Sequence, residues 1–262
     1  MNLAIRPQIR HLAAKMFGID AALSITWHRR AEGAWLVEHL PQKSFRVPRP
    51  ARMAEIEAIA AEIAALGPQP LWEEYRRVYD ANPEVPLAGA AASRSVDDVR
   101  TQSTMGCFFA WLARERRPGL IVEFGTAFGI SGLYWVSGLD EAEHGRLLTF
   151  EPNEIWHTIA SRHLRAFSQR AVPVLGTFEE NIDRYRDGET IDIAFVDAIH
   201  TDAFVTPQVE ILIKRLTPGG LIVLDDISFS DDMRACWEKW ASDPRVAASA
   251  ALDGRVGVLE MR

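Results

Sequence analysis

From Asp97 onward the chain alternates short apolar runs with stretches of helical period. Leu120 to Phe124, Leu147 to Phe150, Val172 to Leu175, Ile191 to Val196 and Leu221 to Leu224 are nearly continuous in apolar residues, as strands covered on both faces are. Between them the spacing predicts helices over Ile130 to Leu139, Asn153 to Phe167 and Phe178 to Tyr185, and one ending at Leu216 with Pro207 in its first turns. A helix over Thr104 to Arg114 leads into the first strand. Repeated strand and helix in this order is the pattern of βαβ units and a parallel sheet. After a helix over Ser230 to Trp240, the strands Val246 to Ala251 and Val256 to Glu260 flank the turn Asp253-Gly254. That gap leaves no room for a crossover helix, so an antiparallel addition is expected. The expectation is an α/β fold, a mostly parallel seven-stranded sheet with helices on both faces and an antiparallel C-terminal strand.

The first hundred residues have a different texture. Ile56, Ile59, Ile63 and Leu66 recur three or four apart within Met53 to Leu66, and Gly67-Pro68 stops that helix. Trp72 to Tyr79 reads as a short helix, and Pro83 to Ser95, rich in Pro, Ala, Gly and Ser, as a linker or loop. Residues 1–95 are therefore expected to form a mainly helical extension, a lid or oligomerisation segment, and residues 96–262 the ligand-binding domain. Phe17, Trp27, Trp35, Phe45, Trp72, Tyr75 and Tyr79 supply aromatics for a pocket, an interface or a cap.

Composition narrows the function classes. At 262 residues, 48% hydrophobic and 25% charged, the chain has the make-up of a globular protein. A net charge of -7 argues against a broad nucleic-acid-binding face. Cys107 and Cys236 lie far apart in no metal-ligand spacing, as ordinary thiols of a reducing compartment do. No apolar stretch is long enough to span a membrane, and Met1 to Arg10 is basic without the apolar core of a secretory signal. The expected location is the cytoplasm; the basic, acid-free stretch Met1 to Phe17 leaves an organelle-targeting segment open.

Candidate chemistry gathers at the ends of the strands, where open α/β sheets place their ligands. Asp197 follows one strand and Asp225-Asp226 another, with His200 three residues after the first. Three acids and a histidine suggest a hard divalent cation beside a proton acceptor. The other reading is that these acids cap loops and helices, and that the histidine orients substrate or sits on the surface. Gly125 to Gly129 forms a tight loop between strand and helix, suited either to close ligand approach or to the turn alone. It lacks the Gly-Lys-Ser or Gly-Lys-Thr of a phosphate loop, and its glycines stand four apart with Phe128 between them, unlike the pyrophosphate-binding G-x-G-x-x-G. Glu151 ends the second strand at a spacing that fits an acid reaching two ribose hydroxyls.

Together, Glu123-Phe-Gly-Thr-Ala-Phe-Gly-Ile-Ser131, Phe150-Glu151-Pro152, Phe195-Val196-Asp197 and Leu216-Thr-Pro-Gly-Gly-Leu-Ile-Val-Leu-Asp225-Asp226 resemble the class I S-adenosylmethionine-dependent methyltransferases. Within these they resemble most the cation-dependent small-molecule O-methyltransferases of the catechol, caffeoyl-coenzyme A and macrolide-sugar types. The resemblance covers Val99 to the C-terminus and implies a Rossmann-like domain. It implies that Glu123, Gly125, Thr126, Ala127, Gly129 and Ser131 surround the methionine part of S-adenosylmethionine, that Glu151 holds the ribose, and that Thr177 and Phe178 lie by the adenine. It also implies that Asp197, Asp225 and Asp226 hold Mg2+ or another divalent cation such as Mn2+, with Asp197 also beside the cofactor. His200 stands where the catechol enzymes carry a lysine and the sugar-methylating relatives a histidine, and would be the base. Imidazole needs little tuning to accept a proton at neutral pH. The expected activity is cation-dependent methylation of a hydroxyl on a sugar or phenol of secondary metabolism, by a homo-oligomer. The alternatives are metal-independent O- or N-methylation and a non-catalytic S-adenosylmethionine-binding partner subunit. Arg100, Thr101, Gln102 and the stretch Ile227 to Asp232 are candidates to close the pocket.

Overall fold

A computed structural model describes residues 22–80 and 93–262. The basic stretch Met1 to Phe17 and most of the loop expected over Pro83 to Ser95 lie outside the described residues. In chain order the elements begin with β1 (Ala22–Arg30), α1 (Trp35–His39), β2 (Ser44–Arg46), α2 (Met53–Ala64), β3 (Gln69–Pro70), α3 (Glu73–Asp80), β4 (Ser93–Arg94), α4 (Val96–Val99) and α5 (Ser103–Arg116). The alternating part follows as β5 (Leu120–Phe124), α6 (Ile130–Ala142), β6 (Arg146–Glu151), α7 (Glu154–Phe167), β7 (Ala171–Leu175), α8 (Phe178–Arg186), β8 (Ile191–Val196), α9 (Asp202–Ile213), β9 (Leu216–Leu224), α10 (Asp231–Ala241), β10 (Val246–Leu252) and β11 (Val256–Met261).

Nine of these strands form one sheet in the order β2-β1-β10-β11-β9-β8-β5-β6-β7, and β3 pairs with β4 apart from it. Its β7-β6-β5-β8-β9 portion is parallel, while β11 pairs antiparallel with both β9 and β10. The expected Rossmann-like sheet is therefore present, with the C-terminal hairpin inserted as its spacing requires. Alternate residues along the strands feed two cores. Ile121, Ile193, Phe195, Leu221 and Val223 face the layer holding Phe109, Leu133 and Trp135. Val122, Phe124, Val196, Ile222 and Leu224 face the layer holding Val209, Met233 and Trp237. Both layers bury large apolar side chains, the main favourable contribution to folding.

Beyond its helices, the described part of the N-terminal segment adds two strands to this same sheet. Leu23 and Ile25 of β1 are buried while Ala22, Ser24 and Thr26 are exposed, the period-two pattern of a half-covered strand. Ser24 donates through both its backbone N–H and Oγ to Asp253 Oδ1, at 2.7 and 2.9 Å. Glu260, buried on β11, accepts from the first amides of α1, Trp35 and Leu36, each at 2.8 Å. A carboxylate there satisfies amides that a helix start leaves unpaired. Among the described residues no helix is long and apolar enough to cross a membrane.

Candidate functional site

Strand register assembles one edge of the sheet. Phe124 lies opposite Phe150 on one side and Val196 on the other, and Val196 opposite Leu224. The residues just beyond these strands, Gly125, Asp197 and Asp225, and Glu151 at the end of β6, therefore come side by side. Backbone bonds hold the edge together: Gly125 and Thr126 both donate to Phe150 O at 3.1 Å, and Asp197 N to Phe124 O at 3.0 Å.

The loop 125–129 turns through three positive φ angles, at Gly125 (86°), Ala127 (46°) and Gly129 (88°). A Cβ on Gly125 would overlap the carbonyl oxygen of Asp197. The loop is thus a backbone surface pressed against the next strand. Glu151 fastens it, accepting from Ala127 N at 2.8 Å and from Asn153 N at 2.9 Å. Glu123 lies behind the loop, fully buried, and accepts from Thr149 Oγ1 at 2.6 Å. Thr149 in turn bonds Thr126.

Burial pushes both Glu123 and Glu151 up to about 7, against their hydrogen-bond donors. A carboxyl raised on folding adds stability that is complete below the unfolded value and disappears as pH climbs through the folded one. Each displacement from 4.5 to about 7 corresponds to about 3 kcal/mol. His157 and His163, pushed down by burial, work the other way with smaller displacements. The unfolding temperature of the ligand-free protein is accordingly expected to fall between about pH 4.5 and about pH 7; a rise across that window in calorimetry would contradict the assignment.

A cavity of about 910 Å³ lies over this edge. Of the sequence-predicted cofactor residues, Gly125, Ala127, Glu151, Thr177, Phe178 and Asp197 line it, whereas Glu123, Thr126, Gly129 and Ser131 stand behind it. Thr177 caps α8 through Glu180 N, and Phe178 stacks on Phe124 with ring centres 3.7 Å apart. The cavity continues to His200, Asp225, Asp226 and Phe229, and then to a wall formed by the N-terminal segment. That wall includes Trp72, Tyr75 and Glu57, whose carboxylate accepts from Tyr134 Oη at 2.9 Å and pairs with Arg100 at 3.4 Å. Arg100 and Gln102 line the cavity as anticipated, and Thr101 is buried. Asp231 instead pairs with Arg234, and Asp232 accepts from Asp202 N at the start of α9.

The three acids come together, but not around a place for a metal. Arg255, in the turn between β10 and β11, lays its guanidinium across Asp225 through Nε and Nη2 at 3.2 and 3.0 Å. Its Nε is 2.9 Å from Asp226 Oδ1. Burial works against the Arg255 charge, but Asp225 and Asp226 outweigh it and hold the guanidinium above its usual range. The positive charge expected as a divalent ion is thus supplied by the chain. Among the described residues no group of three or more His, Cys, Asp or Glu side chains is arranged to hold a metal ion. The expectation of cation dependence, with Asp197, Asp225 and Asp226 as ligands of Mg2+ or Mn2+, is corrected accordingly: the donor set does not fit. Asp197 is raised well above the usual carboxyl range, first by burial and then by Asp225 and Asp226. His200 Nε2 lies 3.7 Å from Asp197 and 3.8 Å from Asp226.

The composition of the turn bearing Arg255 gave no functional signal, since Asp-Gly-Arg between two apolar runs reads only as a hairpin. Gln208 and Glu179 were missed as well. Both line the cavity, where Gln208 Nε2 donates to Glu179 Oε1 at 2.7 Å and Gln208 Oε1, buried, has no partner among the described residues.

Comparison with known proteins agrees with this geometry. Residues 122–227 match a family model described as a methyltransferase domain. A putative O-methyltransferase of Mycolicibacterium vanbaalenii is 32% identical over 148 residues, 53% of this chain and 61% of its own length. The match thus spans less than two thirds of that relative. Among solved structures, the O-methyltransferase TomG of Streptomyces achromogenes, involved in tomaymycin synthesis and crystallised with S-adenosylmethionine, shares the fold at a TM-score of 0.52 and 18% identity, over 80% of this chain and 99% of its own. The O-methyltransferase of Bacillus cereus, crystallised with S-adenosylhomocysteine, shares it at 0.51 and 20% identity, over 79% of this chain and 99% of its own. Sheet order, edge geometry and domain match converge: residues 122–227 are similar to a methyltransferase domain, and the fold is shared with solved O-methyltransferases.

Proposed function

We propose that this protein transfers a methyl group from S-adenosylmethionine to a hydroxyl of a small molecule without a divalent cation. One observation carries the reading: a single cavity joins the glycine loop held by Glu151 to the imidazole of His200. The cavity fits the cofactor. Gly125 presents bare backbone where any side chain would collide, and Gln208, in the cavity wall, carries a buried carbonyl oxygen without a partner among the described residues. When bound, S-adenosylmethionine supplies an electrophilic methyl on its sulfonium. The chain's own groups do the rest. Glu151 accepts the ribose hydroxyls, and a carboxylate is well suited to two O–H donors. Asp197, whose backbone packs on Gly125 and whose carboxyl lies 3.7 Å from His200, would stand near the positive sulfonium. His200 takes the proton from the acceptor oxygen as that oxygen bonds to carbon. The net charge of -7 and a cavity of about 910 Å³ favour a small acceptor over a nucleic acid.

Gln208 is assigned the adenine amino group. Because its amide nitrogen is committed to Glu179, its oxygen must face the other way and can only accept. Leaving a buried acceptor unpaired costs about 1–3 kcal/mol, which a ligand N–H would recover. Calorimetry with S-adenosylhomocysteine and with its inosine analogue, whose ring carries oxygen in place of the amine, tests both ideas. The unaltered protein is expected to bind the adenosine form at least about tenfold more tightly, and Gln208→Leu to lose most of that preference. No binding of either ligand would refute the methyl-transfer reading; binding with unchanged preference in Gln208→Leu would refute only the role of Gln208.

A further inference from the structure

Arg255 joins the turn between β10 and β11 to the end of β9. Its guanidinium spans two carboxylates that come from a different part of the chain, thirty residues earlier for Asp225. It lines the cavity with them and with Asp197 and His200. Two adjacent acids at a strand end repel each other and turn apart unless a positive charge lies between them. Asp226 is held at a φ of 49°, a left-handed backbone that a non-glycine residue adopts only when its surroundings demand it. Here the demand is visible: Asp225 N is bonded to Val196 O, while the Asp226 carboxylate is drawn to Arg255 and lies near His200.

We propose that Arg255 is the resident cation of this site, a positioning residue that fixes Asp225 and Asp226 beside His200 and keeps divalent ions out. Its planar fork engages both acids with fixed directions, which a mobile lysine ammonium does not reproduce. Nε and Nη2 are taken by the acids; Nη1 has no hydrogen bond among the described residues. The acid pair is thereby held fixed without an exchangeable ion. The proposal rests on the methyl-transfer reading only in treating the oxygen bound beside His200 as the acceptor.

The prediction is a gain of binding, which a merely structural arginine would not produce. Without the guanidinium, Asp225 and Asp226 with nearby Asp197 become an all-oxygen acidic cluster of the kind that takes a hard cation. Mn2+ alone is the probe, followed by electron paramagnetic resonance on full-length protein. Arg255→Ala and Arg255→Gln are expected to bind Mn2+ at least about tenfold more tightly than the unaltered protein. Adding Asp225→Asn to either is expected to abolish the gain, and Arg255→Lys, which keeps the charge, not to show it. Should a variant unfold, recovery of its circular dichroism on adding Mn2+ counts as binding. The proposal is overturned if neither variant responds to Mn2+, or if the unaltered protein binds Mn2+ as tightly as they do. Calorimetry with S-adenosylhomocysteine on the same samples separates the two ideas: failure of the unaltered protein to bind it refutes methyl transfer while leaving the Mn2+ result to decide the role of Arg255.

Discussion

Gly125→Ala is expected to abolish binding of S-adenosylhomocysteine and to destabilise the protein by about 3 kcal/mol, from about 1–2 for forcing a side chain into left-handed backbone and about 1–3 for overpacking. Gly125 has a φ of 86°, and its new methyl would meet the carbonyl oxygen and carbon of Asp197, which are backbone atoms with no rotamer to retreat to. Something must shift, and the shift falls on the contact between β5 and β8 that frames the cavity. Chemical denaturation reads the stability loss and calorimetry the affinity. Affinity within threefold of the unaltered protein would show that the loop does not form the cofactor surface.

His200→Ala is expected to lower the turnover number by at least about a hundredfold, the lower range for loss of a general base, while affinity for S-adenosylhomocysteine changes less than about twofold. His200 is buried in the cavity wall, with Asp197 and Asp226 around Nε2 and Phe229 beside the ring. Its removal strips the proton acceptor without touching the loop or Glu151. Methyl transfer to any hydroxylated compound that the unaltered protein turns over provides the assay. An unchanged turnover number would assign His200 to packing.

Much of this was legible before the structure, because strand, glycine and acid each leave a local mark. The apolar runs Leu120–Phe124 and Ile191–Val196 coincide with β5 and β8, since strands buried on both faces have no other composition open to them. Glu151 ends one strand and Asp197 directly follows another, so a parallel sheet alone carries them to one edge. What was not legible depends on pairing across long separations. Residues 1–95 are expected to be mainly helical; the alternation Leu23, Ile25, Trp27 is too short to announce a strand by itself, and nothing local says that it joins β10. The expected seven strands become nine for that reason. Arg255 was hidden in the same way. Three acids without a nearby basic residue in sequence suggest a missing cation; the cation is an arginine thirty residues on, returned to the site by the hairpin of β10 and β11. The resemblance to metal-dependent enzymes rested on the acids and could not register the arginine that answers them.

Glu123, Thr149 and Thr126 support the loop from behind, the loop and Glu151 form the cradle, and Arg255 sets the acids around His200. Side-chain bonds tie these layers to the ends of the strands, which gives the site a rigid base.

The most direct test of the central claim is methyl transfer from isotopically labelled S-adenosylmethionine to a panel of phenols, catechols and glycosides, measured on protein stripped by a chelator and assayed with and without added Mg2+ or Mn2+. The account predicts the same labelled product at the same rate in both conditions. Product formed only after the metal is restored would contradict it.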